Sequence, residues 1–245
     1  MSDHERTAAD KADFKRELTE VVPHLRAFAR GLCGRADMAD DLVQECLTRA
    51  MDRLHLWRPG SNMRVWLMAI KTSAVGFLAL YAAQRTKGLR AGLFVLALAL
   101  SALGDLAIEL SFIAGGVAFF ASHVVAILFY RRYLRPEPSV ARTWGTTLLF
   151  VAVPLVAWWL SGHVLIGVYG LALGGMAMAA WLSMFPQSRV GLGALLFVVS
   201  DWLIFSRLGP YDLSPLPDLL IWPTYYVGQF LIATGVVQTL RRFRR

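Results

Sequence analysis

Seven apolar segments, at about Val65–Ala83, Ala91–Phe112, Ile113–Tyr130, Trp144–Leu160, Val164–Phe185, Val190–Phe205 and Leu219–Leu240, fill the chain after its first quarter. Each is close to the roughly 17–25 residues that a helix needs to cross a bilayer. Soluble proteins bury apolar helices too, but seldom seven in series and rarely at this length. The pattern predicts an all-α, polytopic transmembrane bundle. Composition agrees: 56% of the 245 residues are hydrophobic, against about 45–50% in ordinary soluble domains. The excess is uneven, because residues 1–63 are densely charged with both signs. The chain therefore divides into a short soluble segment, 1–63, and a membrane domain, 64–245.

A net charge of +8 raises the question of nucleic acid. In the apolar part, however, the basic residues sit between hydrophobic runs and at the C-terminus, where such charges orient a membrane protein. Arg85, Lys87 and Arg90 follow the first segment, Arg131, Arg132 and Arg135 the third, Arg189 the fifth, and Arg241, Arg242, Arg244 and Arg245 the last. Alternate loops are basic and are expected in the cytoplasm, together with the C-terminus. Glu109, His163, Asp212 and Asp218 mark the other side. The N-terminus has no apolar core and does not read as a signal peptide. Cys33 and Cys46 read as buried thiols, and nothing in their spacing suggests zinc.

The soluble segment reads as a helical hairpin. Leu18, Val21, Val22, Leu25, Phe28, Ala29 and Leu32 recur at helical spacing up to Gly34, and a second helix runs from about Asp37 to Leu56 before the turn Pro59-Gly60-Ser61-Asn62. Full crossing by Val65–Ala83 puts this hairpin outside the cell. Lys71 interrupts that segment, so a shallow or re-entrant path is the alternative, with both chain ends inside.

Ionisable groups deep in a membrane are costly and mark partners or cavities. Asp105 and Glu109 lie in the second segment, four residues apart and on one helix face. His123 lies in the third and Asp201 in the sixth, while Lys71 is near an edge of the first. Two carboxyls in apolar helices can divide the roles of acid and base. Read without any relative, they also suit structural pairing or ion transport. Tyr225, Tyr226 and Gln229 occupy TYYVGQFLIA in the last segment, with Tyr225 and Gln229 on one face; they read as interfacial anchors or as ligands of a polar head group. Small residues in GLALGGMAMAA and VGLGALL suit close helix contacts. The stretches LSALGDLAI and LFVVSDWLI each place Asp after a small residue, a faint internal echo.

The stretches SALGDLAIELSFIAGGVAFFASHVVAILFY, GALLFVVSDWLI and TYYVGQFLIATG, in this order over about the last 175 residues, resemble the YhhN family of membrane proteins, which includes lysoplasmalogenases. The resemblance implies a membrane-embedded hydrolase that cleaves the vinyl ether of a lysoplasmalogen, with no metal or cofactor. It makes Asp105 and Asp201 the expected catalytic pair. His123, Tyr225, Tyr226, Gln229, Glu109 and Lys71 become the expected substrate-binding set, and the expected partners are a lysophospholipid and the bilayer. Family members ordinarily begin with a further membrane helix, and here the hairpin stands in its place.

Residues 22–70, VPHLRAFARGLCGRADMADDLVQECLTRAMDRLHLWRPGSNMRVWLMAI, resemble the second conserved region of bacterial sigma factors of the extracytoplasmic-function type. This implies a bacterial chain, hence the inner membrane, and makes Asp40, Asp41, Gln44 and Glu45 the expected contacts to core RNA polymerase. The likeness stops at Ile70, before the promoter-reading helix is complete, so polymerase binding is expected to be weak and independent DNA binding is not expected. Three functions follow as alternatives: a vinyl ether hydrolase, a membrane-tethered sigma-like regulator or inactive fusion, and a transporter of small molecules or lipids.

Overall fold

A computed structural model describes residues 75–211 and 213–243, together with scattered helical positions of the N-terminal segment (15, 16, 19, 22, 23, 26, 40, 43, 44 and 48). The described part of α1 covers 75–85. Then follow α2 (Leu89–Leu110), α3 (Phe112–Tyr130), α4 (Val140–Ser161), α5 (Val164–Leu182), α6 (Leu192–Ser206) and α7 (Leu216–Arg242). No strand occurs among the described residues. Six helices, α2 to α7, are long and apolar enough to cross a membrane. The seventh expected segment, Val65–Ala83, lies partly outside the described residues.

Sequence neighbours pack as hairpins, α2 with α3, α4 with α5 and α6 with α7, and the hairpins join mainly through α3 against α5. One residue makes the first reversal. Ser111 is extended, its N–H closes α2 on Ala107 O, and its hydroxyl accepts from Ala114 N at the start of α3. This break falls one residue before the boundary that hydrophobicity suggests, because Phe112 is apolar and yet lies beyond the Ser111 cap that makes the turn. Gly162 ends α4 at φ 71°, a left-handed conformation that glycine adopts without strain. The π-turn Gln187–Gly191 leads into α6.

In lipid, apolar surface alone does not bring helices together, so close backbone approach matters more. A Cβ at Gly170 of α5 would lie 2.7 Å from the Cα of Pro154 in α4. Gly193 of α6 and Gly228 of α7 face each other, and a Cβ on either would meet the other's carbonyl oxygen within 3 Å. These are the small-residue stretches expected to serve packing. Hydrogen bonds add to the contacts: Ser101 and Ser122 pair at 2.9 Å between α2 and α3, and Trp202 of α6 donates to Val153 O of α4.

Candidate functional site

Asp105 lies on α2 and Asp201 on α6, each five residues before the last residue of its helix. Both are 6% exposed. Each carboxylate accepts a tyrosine hydroxyl from another helix: Tyr225 of α7 donates to Asp105 Oδ2 at 2.8 Å, and Tyr169 of α5 donates to Asp201 Oδ2 at 2.8 Å. The two aspartates and the two tyrosines line one cavity of about 340 Å³, at the lower end of the about 300–1,000 Å³ usual for small-molecule sites. The rest of its wall is almost wholly apolar, with Phe119, Ile204 and Trp222 among the lining side chains.

His123 is buried behind this wall. Its Nε2 lies 3.0 Å from the Tyr169 hydroxyl and 3.9 Å from Asp201 Oδ2. Because Tyr169 donates its one proton to Asp201, it accepts from His123, which places the imidazole proton on Nε2. A chain of donors thus runs His123 to Tyr169 to Asp201. Aromatic edges hold it in place, with Phe197 against both His123 and Tyr225.

The residues singled out in the sequence divide as follows. Asp105, Asp201 and Tyr225 meet at the cavity. His123 stands one residue back from it, and Gln229 is buried on the face of Tyr225 without being part of the lining. Tyr226 also lies off the lining, and its buried hydroxyl finds no hydrogen-bond partner among the described residues. Lys71 and the Glu109 side chain lie outside the described residues. Tyr169 was not singled out. Its signal is a hydroxyl five residues inside an apolar helix, in VLIGVYGLALGG, deeper than an interfacial anchor sits. In the hairpin, Asp40 pairs with Arg26 at 2.7 Å and Gln44 is exposed. Asp41 and Glu45 lie outside the described residues.

Fold and site together define a polytopic membrane protein with two carboxyls in an intramembrane apolar chamber. The YhhN family model matches residues 66–236, and the chain belongs to that family. A second model, the sigma2 domain of PhyR, matches residues 18–71. Among curated proteins, the ECF RNA polymerase sigma factor EcfG of Rhodopseudomonas palustris (strain TIE-1) is 52% identical over 54 residues, which is 22% of this chain and 30% of that protein. The chain thus spans less than a third of that relative's length. No solved structure matches the chain.

Proposed function

We propose that this protein hydrolyses the vinyl ether bond of a lysoplasmalogen, with Asp105 and Asp201 as the acid–base pair. The observation that carries the reading is their meeting in one apolar chamber from separate helices, each oriented by a tyrosine hydroxyl. Membership of a family that includes lysoplasmalogenases supports it.

The chemistry needs two proton carriers. One carboxyl, protonated, gives its proton to the vinyl carbon remote from oxygen, leaving an oxocarbenium ion that the second carboxylate stabilises. Water adds to that ion as the second carboxylate takes its proton, forming a hemiacetal. In the collapse, the second carboxyl protonates the leaving glycerol oxygen and the first carboxylate removes the hemiacetal hydroxyl proton. Fatty aldehyde and glycerophospho-base leave, and both carboxyls return to their starting states. The steps parallel inverting glycoside hydrolysis. Apolar walls suit the chain of such a substrate.

The test is aldehyde release from lysoplasmalogen by purified protein, with Asp105→Asn and Asp201→Asn alongside. Positioned proton transfer contributes about 10²–10⁴-fold, so each variant is expected to lose at least a hundredfold while staying folded in detergent. Activity within about threefold of the parent in both variants would rule out the pair.

A second reading concerns the N-terminal segment, where the sigma2 match supports membrane-tethered binding of core RNA polymerase. The two readings involve different parts of the chain and do not compete.

A further inference from the structure

The cavity lies toward one end of the bundle. Its lining comes from the last turns of α2 and α6 and the first turns of α3, α5 and α7, as at Asp105, Asp201, Ile113, Leu165 and Ile221. At 1.5 Å per residue, the two aspartates sit about 8 Å from those helix ends, in a hydrocarbon layer about 30 Å thick. The opposite ends of the same helices carry Arg131, Arg132, Arg135, Arg189, Arg241 and Arg242. Basic ends face the cytoplasm. The chamber therefore belongs to the other half of the bilayer.

Its mouth is also directional. Ile113 and Val117 of α3 and Leu165 of α5 line the chamber, yet are 76%, 63% and 82% exposed. The same side chains form both the cavity wall and the outer surface of a membrane-spanning helix. The described side chains that line this rim are apolar, so the opening faces hydrocarbon sideways. A lipid chain is the occupant that satisfies both ends of this path. It matches the apolar rim, and the polar group at its head can reach the carboxyls. A second copy of the bundle would bring apolar helix to the rim but nothing to hydrogen-bond within.

We propose that a single-chain membrane lipid enters this chamber laterally, over the first turns of α3 and α5, from the leaflet opposite the basic loops. The choice of a single chain rests on the vinyl ether reading; the route and the leaflet rest on geometry and charge.

Gly116 offers the test, because it lines the chamber and a Cβ added there meets no atom within 4 Å. Gly116→Trp can fill the mouth without disturbing the packing at its root. The full chain in lipid nanodiscs is exposed to a lysophosphatidylcholine carrying a diazirine in its acyl chain, and adducts are mapped by mass spectrometry. Adducts are expected on residues 112–120 and 164–169, falling at least tenfold in Gly116→Trp. Adducts elsewhere, or unchanged in that variant, would overturn the portal, as would a protein–protein crosslink through this face that excludes the lipid. Sidedness is read separately in intact cells, on a background lacking Cys33 and Cys46. A cysteine at His163→Cys, on the exposed turn between α4 and α5, should react with an impermeant maleimide, and one at Arg244→Cys should not. The reverse would put the chamber in the cytoplasmic leaflet and overturn the assignment. Crosslinking does not require hydrolysis. Mapped adducts without aldehyde release would sink the enzyme reading alone, and release that Gly116→Trp leaves unchanged would sink the portal alone.

Discussion

Tyr169 and Tyr225 hold equivalent positions against the two aspartates, but their surroundings differ. Tyr225 donates to Asp105 and is hydrogen-bonded by Gln229, and Tyr169 donates to Asp201 and accepts from His123. In the proposed cycle one carboxyl starts charged and the other protonated, and a hydrogen bond to such groups is worth about 0.5–3 kcal/mol. Tyr169→Phe and Tyr225→Phe should therefore each lower kcat for aldehyde release, by about 2- to 100-fold. KM should change little, because the phenyl ring still fills the wall. Tyr169→Phe also leaves His123 Nε2 buried and unpaired, which costs about 1–3 kcal/mol more. Tyr225→Phe likewise takes a partner from buried Gln229, so the thermal midpoint in detergent should fall in both variants, and a midpoint unchanged from the parent in Tyr169→Phe would show that the His123–Tyr169 bond carries no stability. The sequence pointed to the aspartates because a carboxyl in an apolar run is expensive enough to demand a reason. The signal for Tyr169 is weaker, only its depth in the helix, because its ring is at home in lipid and its hydroxyl is one atom among many apolar ones.

Helices here are specified by two kinds of signal, and only one is visible as hydrophobicity. Length and apolar content separated the spans, and the observed ends of α4, α6 and α7 depart from the apolar runs by a few residues, since polar residues such as Arg142 and Arg242 continue the helix beyond the lipid-like stretch. Capping and contact carry the other signal. Ser111 caps α3 and closes α2 where only Glu109 and Ser111 interrupt the apolar sequence, and Gly193 against Gly228 sets how closely α6 and α7 approach. A Cβ at Gly193 would lie 2.6 Å from Gly228 O, and backbone cannot move aside as a side chain can. Gly193→Ala should cost about 1–3 kcal/mol by overpacking, seen as a lowered thermal midpoint. Gly92 of α2 is the control, since a Cβ there meets nothing within 4 Å. Gly92→Ala should be neutral or should stabilise, by up to about 0.5–1 kcal/mol from helix propensity. Equal midpoints for the two variants would remove the close α6–α7 contact from the account. Short connections make consecutive helices neighbours, but the packing of α3 on α5 that joins the hairpins was not legible, because apolar segments of similar length carry no address for their other partners.

At the scale of the whole molecule, the sigma2 match ends at residue 71 and the YhhN match begins at residue 66, so two unrelated descriptions share residues 66–71. The segment that begins there, by crossing the membrane or not, sets the side on which residues 1–63 lie. With a cytoplasmic C-terminus and six crossings by α2 to α7, residue 88 is cytoplasmic too. A full crossing by the segment before it would then put the hairpin outside, away from polymerase. Lys71 bears on the choice: a lysine at the centre of a membrane helix costs about 2.5–3.5 kcal/mol on insertion scales, yet near an end it reaches the interface cheaply. Arg53, Arg58 and Arg64 precede the segment as Arg85 and Lys87 follow it, so positive charge favours holding both of its ends inside. We predict a cytoplasmic hairpin: a cysteine at Ser2→Cys, on the background lacking Cys33 and Cys46, should resist an impermeant reagent in intact cells. Given that side, the full chain in nanodiscs should retain core RNA polymerase weakly. Binding should weaken further in an Asp40→Ala, Asp41→Ala, Gln44→Ala and Glu45→Ala variant. Promoter-specific transcription should not follow, because the sigma2 match ends at residue 71 and apolar membrane sequence continues from there. Labelling at residue 2 would exclude a polymerase contact for this part of the chain, and transcription from a defined promoter would show that the membrane sequence after Ile70 does not disable it.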